Sequence, residues 1–259
     1  MLRFVLLVIS LLFGVRAFAG EITIYAAADL SHAFDEIQKI YEKKYPQDKL
    51  KIIYGSSGQG YSQILNGAPY DMLFSADMGY VQKLKEQGFT ISEPKPYAVG
   101  RLIIWTRKDS GINVNEGINV VLNPAVKKIA IANWEVAPYG LAAKQCLEYY
   151  KLFDKVKDKL VLGENITKTA QYVQTGNAEI GFLSLSLAKS EKLQKEGVYY
   201  LLPEGCHKQI LQGQAILKHA ASSKETLETA KRFESFIESP EARKIFIKYG
   251  FILPGEKGE

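Results

Sequence analysis

Hydrophobic and polar positions along the chain follow two periods that trade places. Residues 21–25 alternate and carry β-branched side chains, so they predict a strand. Apolar residues then recur at Leu30, Ala33, Phe34, Ile37, Ile40 and Tyr41, the spacing of one helix face, and Pro46 closes the run. Residues 51–54 and 71–74 predict two more strands, followed by helices from Tyr61 and from Met78. This rhythm predicts a parallel sheet covered on both faces. Residues 97–107 form an apolar run long enough to pass from one lobe to another. Residues 109–123, rich in Asn and Gly, predict a surface loop. The rhythm resumes with strands over 128–132, 159–162 and 179–183, and helices follow them from Pro138, Ile166 and Ser184. Residues 198–202 and 210–217 are late strands, the second a return crossing. Leu227, Ala230, Phe233, Phe236 and Ile237 mark one helix face, and Ser239-Pro240 opens a last helix that Gly250 ends.

Four places share one local geometry, a strand feeding a helix N-terminus through small residues. They are Ala26-Ala27-Ala28-Asp29, Gly55-Ser56-Ser57-Gly58-Gln59-Gly60, residues 133–140, and Gly163-Glu164-Asn165. Each leaves backbone N–H groups without an intrahelical partner, at the positive end of a helix dipole. Such ends attract anions. In open α/β sheets, ligands bind at the carboxyl edge of the strands, where these turns lie. None of the four turns contains Lys or Arg. The pattern therefore suits a small oxyanion held by dipoles; a long organic anion usually needs an Arg clamp. Asp29 and Asn165 are the expected N-caps of their helices.

Charge and cysteine content change this picture little. Arg3, the apolar run 4–15 and Ala17-Phe18-Ala19 read as an export signal over residues 1–19, cleaved after Ala19. Removing Arg3 and Arg16 lowers the formal net charge from +5 to about +3, too mild to argue for nucleic acid or a membrane surface. The remaining length suits two compact lobes or one large domain. Cys146 and Cys206 have no metal or redox spacing; an exported protein permits their pairing, and Cys146 equally reads as a small buried hydrophobe. Trp105 and Trp134 read as packing residues. Catalytic signals are thin. The Walker, nucleophile-elbow and H-E-x-x-H patterns are absent, Ser57 has no evident base, and His32 with Asp35 and Glu36 reads as a solvated helix face.

The turns, in order, resemble those of the periplasmic molybdate-binding proteins of bacterial ABC importers. The likeness is carried by residues 25–30, by Gly55-Ser56-Ser57-Gly58, and by Gly67-Ala68-Pro69-Tyr70-Asp71 with Ser75-Ala76-Asp77. It continues through Gly100-Arg101-Leu102, residues 137–143, Gly163-Glu164-Asn165-Ile166, residues 175–182 and Tyr249-Gly250-Phe251. The resemblance implies an α/β, two-lobed type II periplasmic solute-binding fold. Each lobe is then a mainly parallel sheet flanked by helices, with a two-strand hinge. Residues 20–99 and 217–259 form the first lobe and residues 100–216 the second.

By motif, the implied oxyanion contacts are Ala28, Asp29, Ser57, Tyr139 and Ile166, mostly through backbone N–H groups. Ser57, and in one reading Tyr139, adds a hydroxyl; the metal is reached only through the oxyanion. The implied role is capture of molybdate, and of the similar tungstate, for the membrane permease of an ABC importer. That role implies a periplasmic monomer, with no catalysis, no resident cofactor and no nucleic-acid partner. Asp29 stands where relatives often carry Ser or Asn; its carboxylate is expected to turn away and cap its helix while its N–H binds, the alternative being a contact to the metal or to a protonated ligand. Ser184 stands where some members have a pocket Tyr. The competing readings are an iron(III) carrier using Tyr149-Tyr150 or Tyr199-Tyr200, a sulfate carrier, and a secreted hydrolase using Ser57.

Overall fold

A computed structural model describes residues 20–256, so the expected export signal lies outside the described residues. In chain order the regular elements of the first part are β1 (Glu21–Ala27), α1 (Ser31–Lys44), β2 (Lys49–Gly55), α2 (Ser57–Leu65), β3 (Met72–Ser75), α3 (Met78–Glu86) and β4 (Lys95–Gly100). After Arg101 come β5 (Leu102–Arg107), β6 (Ile129–Ala132), α4 (Pro138–Tyr149), α5 (Phe153–Val156), β7 (Leu160–Gly163) and α6 (Ile166–Gln174). They are followed by β8 (Ile180–Ser184), α7 (Leu185–Ala188), α8 (Glu191–Glu196) and β9 (Gly197–Leu201). The chain closes with β10 (Ile210–Ile216), α9 (Lys224–Ile237) and α10 (Pro240–Lys248).

The strands form two five-stranded sheets, ordered β2-β1-β3-β10-β4 and β7-β6-β8-β5-β9. β1 runs parallel to β2 and β3, and β6 runs parallel to β7 and β8. In each sheet the fourth strand is the reversed one: β10 is antiparallel to β3 and β4, and β5 is antiparallel to β8 and β9. Each reversed strand is the one that has just arrived from the other lobe. The crossings from β4 to β5 and from β9 to β10 make the hinge, and Gly100 stands opposite Ile210 where they pass. Because β10 lies wholly in the first sheet, the second lobe ends before Ile210. The boundary expected at residue 216 counted a strand by its place in the chain, whereas its hydrogen bonds assign it to the first sheet.

The helix faces explain the packing. On α1, Ala33, Phe34, Ile37 and Tyr41 are buried, and Lys43 and Lys44 sit in the last turn, where cations favour the helix dipole. Phe34 meets Phe74, Phe233 and Phe246 at ring-centroid distances of 4.9, 6.1 and 6.4 Å. Such tilted and edge-to-face pairs each add about 1 kcal/mol beyond the area they bury. The second core is aliphatic around a fully buried Trp105, with Ile103, Ile131, Val173 and Leu183. It contains a covalent tie: Cys146 on α4 is disulfide-bonded to Cys206, settling the alternative left open by the sequence. No helix among the described residues is long and apolar enough to cross a membrane.

Two local expectations give way. The Gly/Ser turn is itself helical, since α2 starts at Ser57 and not at Tyr61. The stretch 109–123 is not a plain surface loop: it coils into tight turns that bury Val114, Ile118, Val120 and Val121. Its Asn and Gly residues supply turns, and the apolar residues between them dock on the second core.

Candidate functional site

The cleft between the lobes is lined by Ala27, Ala28, Asp29, Gly55, Ser56, Ser57, Ala76, Ala137, Pro138, Tyr139 and Ile166. All five residues expected at the site are therefore brought together, two segments from each lobe. Their elements explain why. Ser57 is the first residue of α2, Tyr139 the second of α4 and Ile166 the first of α6, while Ala28 opens a tight 3-10 turn, Ala28–Leu30. Backbone N–H groups at such positions have no intrahelical carbonyl to bond. In α6 the Asn165 side chain accepts from the Lys168 N–H at 3.0 Å, as expected of a cap, and leaves Ile166 and Thr167 uncapped. In α4 Pro138 has no N–H to offer and Ala137 gives no side-chain cap, so the dipole end at Tyr139 is bare. The first lobe adds side chains. Ser57 Oγ accepts from the Ala76 N–H at 2.9 Å, which leaves its O–H free to donate. Ser56 Oγ is buried without a partner among the described residues.

The lobes touch through specific bonds. The Gly58 N–H donates to the Val136 carbonyl at 2.8 Å, and the Thr167 hydroxyl donates to the Ala28 carbonyl at 3.3 Å. Ser186 Oγ donates to the Asp29 carbonyl at 2.7 Å. A Cβ on Gly58 would lie 2.8 Å from Val136 Cα and 2.9 Å from its carbonyl oxygen, so only glycine allows this approach.

Asp29 departs from expectation. It caps nothing: α1 begins two residues later, at Ser31, and its N-cap position is Leu30. The Asp29 side chain is buried in a network instead. Tyr139 O–H donates to Oδ2 at 2.9 Å, and Gln212 Nε2 donates to the same oxygen at 2.7 Å. Tyr97 O–H in turn donates to Gln212 Oε1 at 2.6 Å. Oδ1 has no partner among the described residues. Burial pushes the Asp29 carboxyl up to about 6, while the bonds from Gln212, Tyr139 and its own backbone pull the other way. The Tyr139 phenol is raised well above its usual value by burial and by the Asp29 charge. Its hydroxyl is thus spent on Asp29, so Tyr139 meets the cleft through its backbone and not through a second hydroxyl. Gly100 makes room for it, since a Cβ there would fall 2.1 Å from the phenol oxygen.

Ser184 does not line the cleft. It caps α7, accepting from the Leu187 N–H at 3.4 Å, and its own hydroxyl donates at 3.0 Å to Ser186 Oγ, whose proton goes to the Asp29 carbonyl. Tyr149 is exposed and pairs edge-on with Tyr150. Neither of these, nor Tyr199 nor Tyr200, reaches the cleft lining. Trp105 is a core residue and Trp134 packs on Phe153, as expected. Gln212, Tyr97, Val136, Thr167 and Ser186 were not anticipated. The one local hint was a pair of buried glutamines, Gln212 and Gln214, inside an apolar strand, of which Gln212 finds its partners at the site. A larger hollow, about 440 Å3, lies behind the hinge beside Lys189, Lys248 and Glu256. Two of its charges are paired, Lys248 with Glu36 at 2.7 Å and Glu256 with Arg243 at 3.4 Å, and it is framed by charged side chains where the cleft is framed by helix N-termini.

Comparison with known proteins agrees with this geometry. Residues 22–252 match the family model described as bacterial extracellular solute-binding protein. The chain is 32% identical to the molybdate-binding protein ModA of Rhodobacter capsulatus over 238 residues, covering 91% of this chain and 90% of that protein. It is 32% identical to the ModA of Azotobacter vinelandii over 93% of this chain and 94% of that one. The solved structure of the Azotobacter vinelandii periplasmic molybdate-binding protein superposes with a TM-score of 0.82 at 30% identity, covering 90% of this chain and 99% of that one.

Proposed function

Given that the chain belongs to the bacterial extracellular solute-binding protein family, we propose that it captures molybdate in the periplasm and delivers it to an ABC importer. The observation that carries the reading is the convergence of four helix or turn N-termini, two from each lobe, on one cleft. Such N–H groups make charge-assisted bonds to an oxyanion without any cation. The bonds from Gly58 to Val136 and from Thr167 to Ala28 support closure of one lobe on the other around the guest.

On this reading Ala28, Asp29, Ser57, Tyr139 and Ile166 hold the anion, with Ser57 adding its hydroxyl. Tungstate, close in size and charge, binds in the same way. Sulfate is smaller and meets the fixed donors less well. The protein acts as a monomeric carrier, with the anion as cargo and no resident cofactor, and with no nucleic acid as partner. The engagement of Ser57 supports a carrier over a hydrolase: its oxygen is held by a backbone N–H, and His207 and His219 bond elsewhere, to Lys208 and Asp71.

Isothermal titration with molybdate, tungstate, sulfate and phosphate tests the proposal. Tight binding of the first two, with sulfate and phosphate weak, is expected. Silence toward molybdate beside clear binding of another anion would reject it.

A further inference from the structure

We propose that one proton enters the complex with the anion and lies between Asp29 Oδ1 and an anion oxygen, making Asp29 a specificity-determining donor. The inference rests on the anion-capture reading above and adds a contact that reading leaves unexplained.

The hydrogen-bond geometry assigns the proton. Asp29 Oδ2 receives two donors, the Tyr139 hydroxyl and Gln212 Nε2. The Gln212 amide turns its Nε2 to Asp29 and, at 3.2 Å, to the Tyr139 hydroxyl oxygen, while its Oε1 accepts from Tyr97 O–H at 2.6 Å. Tyr97 and Gln212 thus keep Oδ2 an acceptor, and a proton on this carboxyl belongs on Oδ1. That atom is buried, has no partner among the described residues, and is carried by a residue that lines the cleft. As an ionised acceptor, it would repel a dianion held by the neighbouring N–H groups. Protonated, it donates to one. The proton comes from solvent, and no bond within the anion breaks.

Among the described residues, no cation is seen to act on the Asp29 carboxyl. Burial already lifts the ligand-free carboxyl to about 6, and the groups that lower it are Gln212, Tyr139 and its own backbone N–H, none of them cationic. The titratable groups on the packed elements are Tyr139 from α4 and Tyr97 from β4, both held neutral by burial. From α1 come His32, lowered by burial, and Asp35, which acts on it. Lys168 of α6 is exposed, and Lys189 beside α7 lines the hollow behind the hinge. A dianion arriving beside Oδ1 raises the carboxyl further by like charge. The contact also selects. Of two dianions that carry no proton of their own, the one with the more basic oxygens accepts this bond better, so molybdate gains over sulfate.

The test is titration of molybdate into the full protein between about pH 6.5 and 8.5, in buffers of differing ionisation heat. Uptake of about one proton per anion is expected, with affinity falling about tenfold per pH unit above the free carboxyl's midpoint. In Asp29→Asn, the amide oxygen can accept from Tyr139 and Gln212 while the NH2 occupies the Oδ1 position. This variant should bind with no proton uptake and an affinity flat within about twofold, since it carries the donor permanently. Asp29→Ala should bind about 10- to 100-fold more weakly than Asp29→Asn, the loss expected for a charge-assisted bond. Wild-type binding without proton uptake and independent of pH would overturn the inference and leave the carrier reading standing. Failure of wild type and Asp29→Asn to bind molybdate at any pH would overturn the carrier reading, and the inference with it.

Discussion

The two lobes share a strand order and differ in how they are held and in what they bring to the cleft. The first is cored by aromatic rings, Phe34, Phe74, Phe233 and Phe246 among them, and closed by a buried ion pair in which Arg232 grips Asp48 at 2.7 and 3.1 Å. The second is cored by aliphatic residues and tied by a disulfide that spans 60 residues. At the cleft, the first lobe places polar side chains, Asp29, Ser56 and Ser57. The second offers backbone framed by Ala137, Pro138 and Ile166. One topology thus serves as a rigid dipole frame on one side and as a place for residue-specific chemistry on the other. Substitutions that tune selectivity belong on the first lobe, while on the second the side chains that matter are those that reach across, Tyr139, Thr167 and Ser186.

The sharpest way to break this comparison is to unpair the first lobe. Asp48→Ala leaves Arg232, the Tyr41 hydroxyl and the Thr229 hydroxyl without their carboxylate, and about 3 to 5 kcal/mol of unfolding free energy should be lost in urea titration. Loss below 1 kcal/mol would show the pair to be idle. Removing the second lobe's tie, by Cys146→Ser with Cys206→Ser, should cost about 4 kcal/mol by loop entropy, read in the same titration. Its absence should weaken the second lobe first, visible as faster amide exchange in α4 than in α1.

A third measurement isolates Asp29. Its carboxyl is raised in the folded protein, so the native state holds its proton more tightly than the unfolded chain does. Stability from this group is full below the unfolded value, 3.8, and is lost as pH rises through the folded one, about 6, on the order of 3 kcal/mol. Ligand-free wild type should lose that stability between pH 4 and 6 relative to Asp29→Asn, as followed by thermal melts. Parallel curves would refute the shift. Gly58→Ala should weaken anion binding by about 2 kcal/mol, read by calorimetry, because its Cβ strikes the Val136 backbone of the other lobe, whereas the Tyr80 hydroxyl it also meets ends a side chain that can shift. The smallest effect is expected from Ser57→Ala, about 1 kcal/mol in affinity by calorimetry, since the backbone N–H groups remain.

Much of this was legible along the chain because the signals were local. Asn165 and Ser239 cap helices as the sequence predicts, accepting from Lys168 and Ala242, and Asp77 does the same for α3 by accepting from Gly79. Asp29 has the same local signature and a different fate. Its partners Tyr139 and Gln212 stand 110 and 183 residues away, and nothing within a helix turn of Asp29 announces them. The 3-10 turn Ala28–Leu30 also delays α1, which takes the carboxyl out of capping range. The lobe boundary failed for a related reason. An apolar strand at 210–216 fits either sheet by pattern, and only pairing with β3 and β4 decides. The site backbone was readable because small residues at strand ends are a local demand, whereas the network behind it is a property of the closed fold.

The placement of β10 sets an order of assembly. Residues 102–201 contain every strand of one sheet in a single uninterrupted stretch. The other sheet has a gap between β3 and β4 that only residues 210–216 can fill, and these are synthesised after all the rest of its strands. A chain threading outward N-terminus first therefore presents a finished C-terminal neighbour before its own leading half can close. Pulse-labelled exchange should find amides of β6 protected before those of β4; the reverse order would contradict it. Until that late strand arrives, the unmatched edges of β3 and β4 are open to the wrong partners, and the leading half is where export and quality control have most to guard.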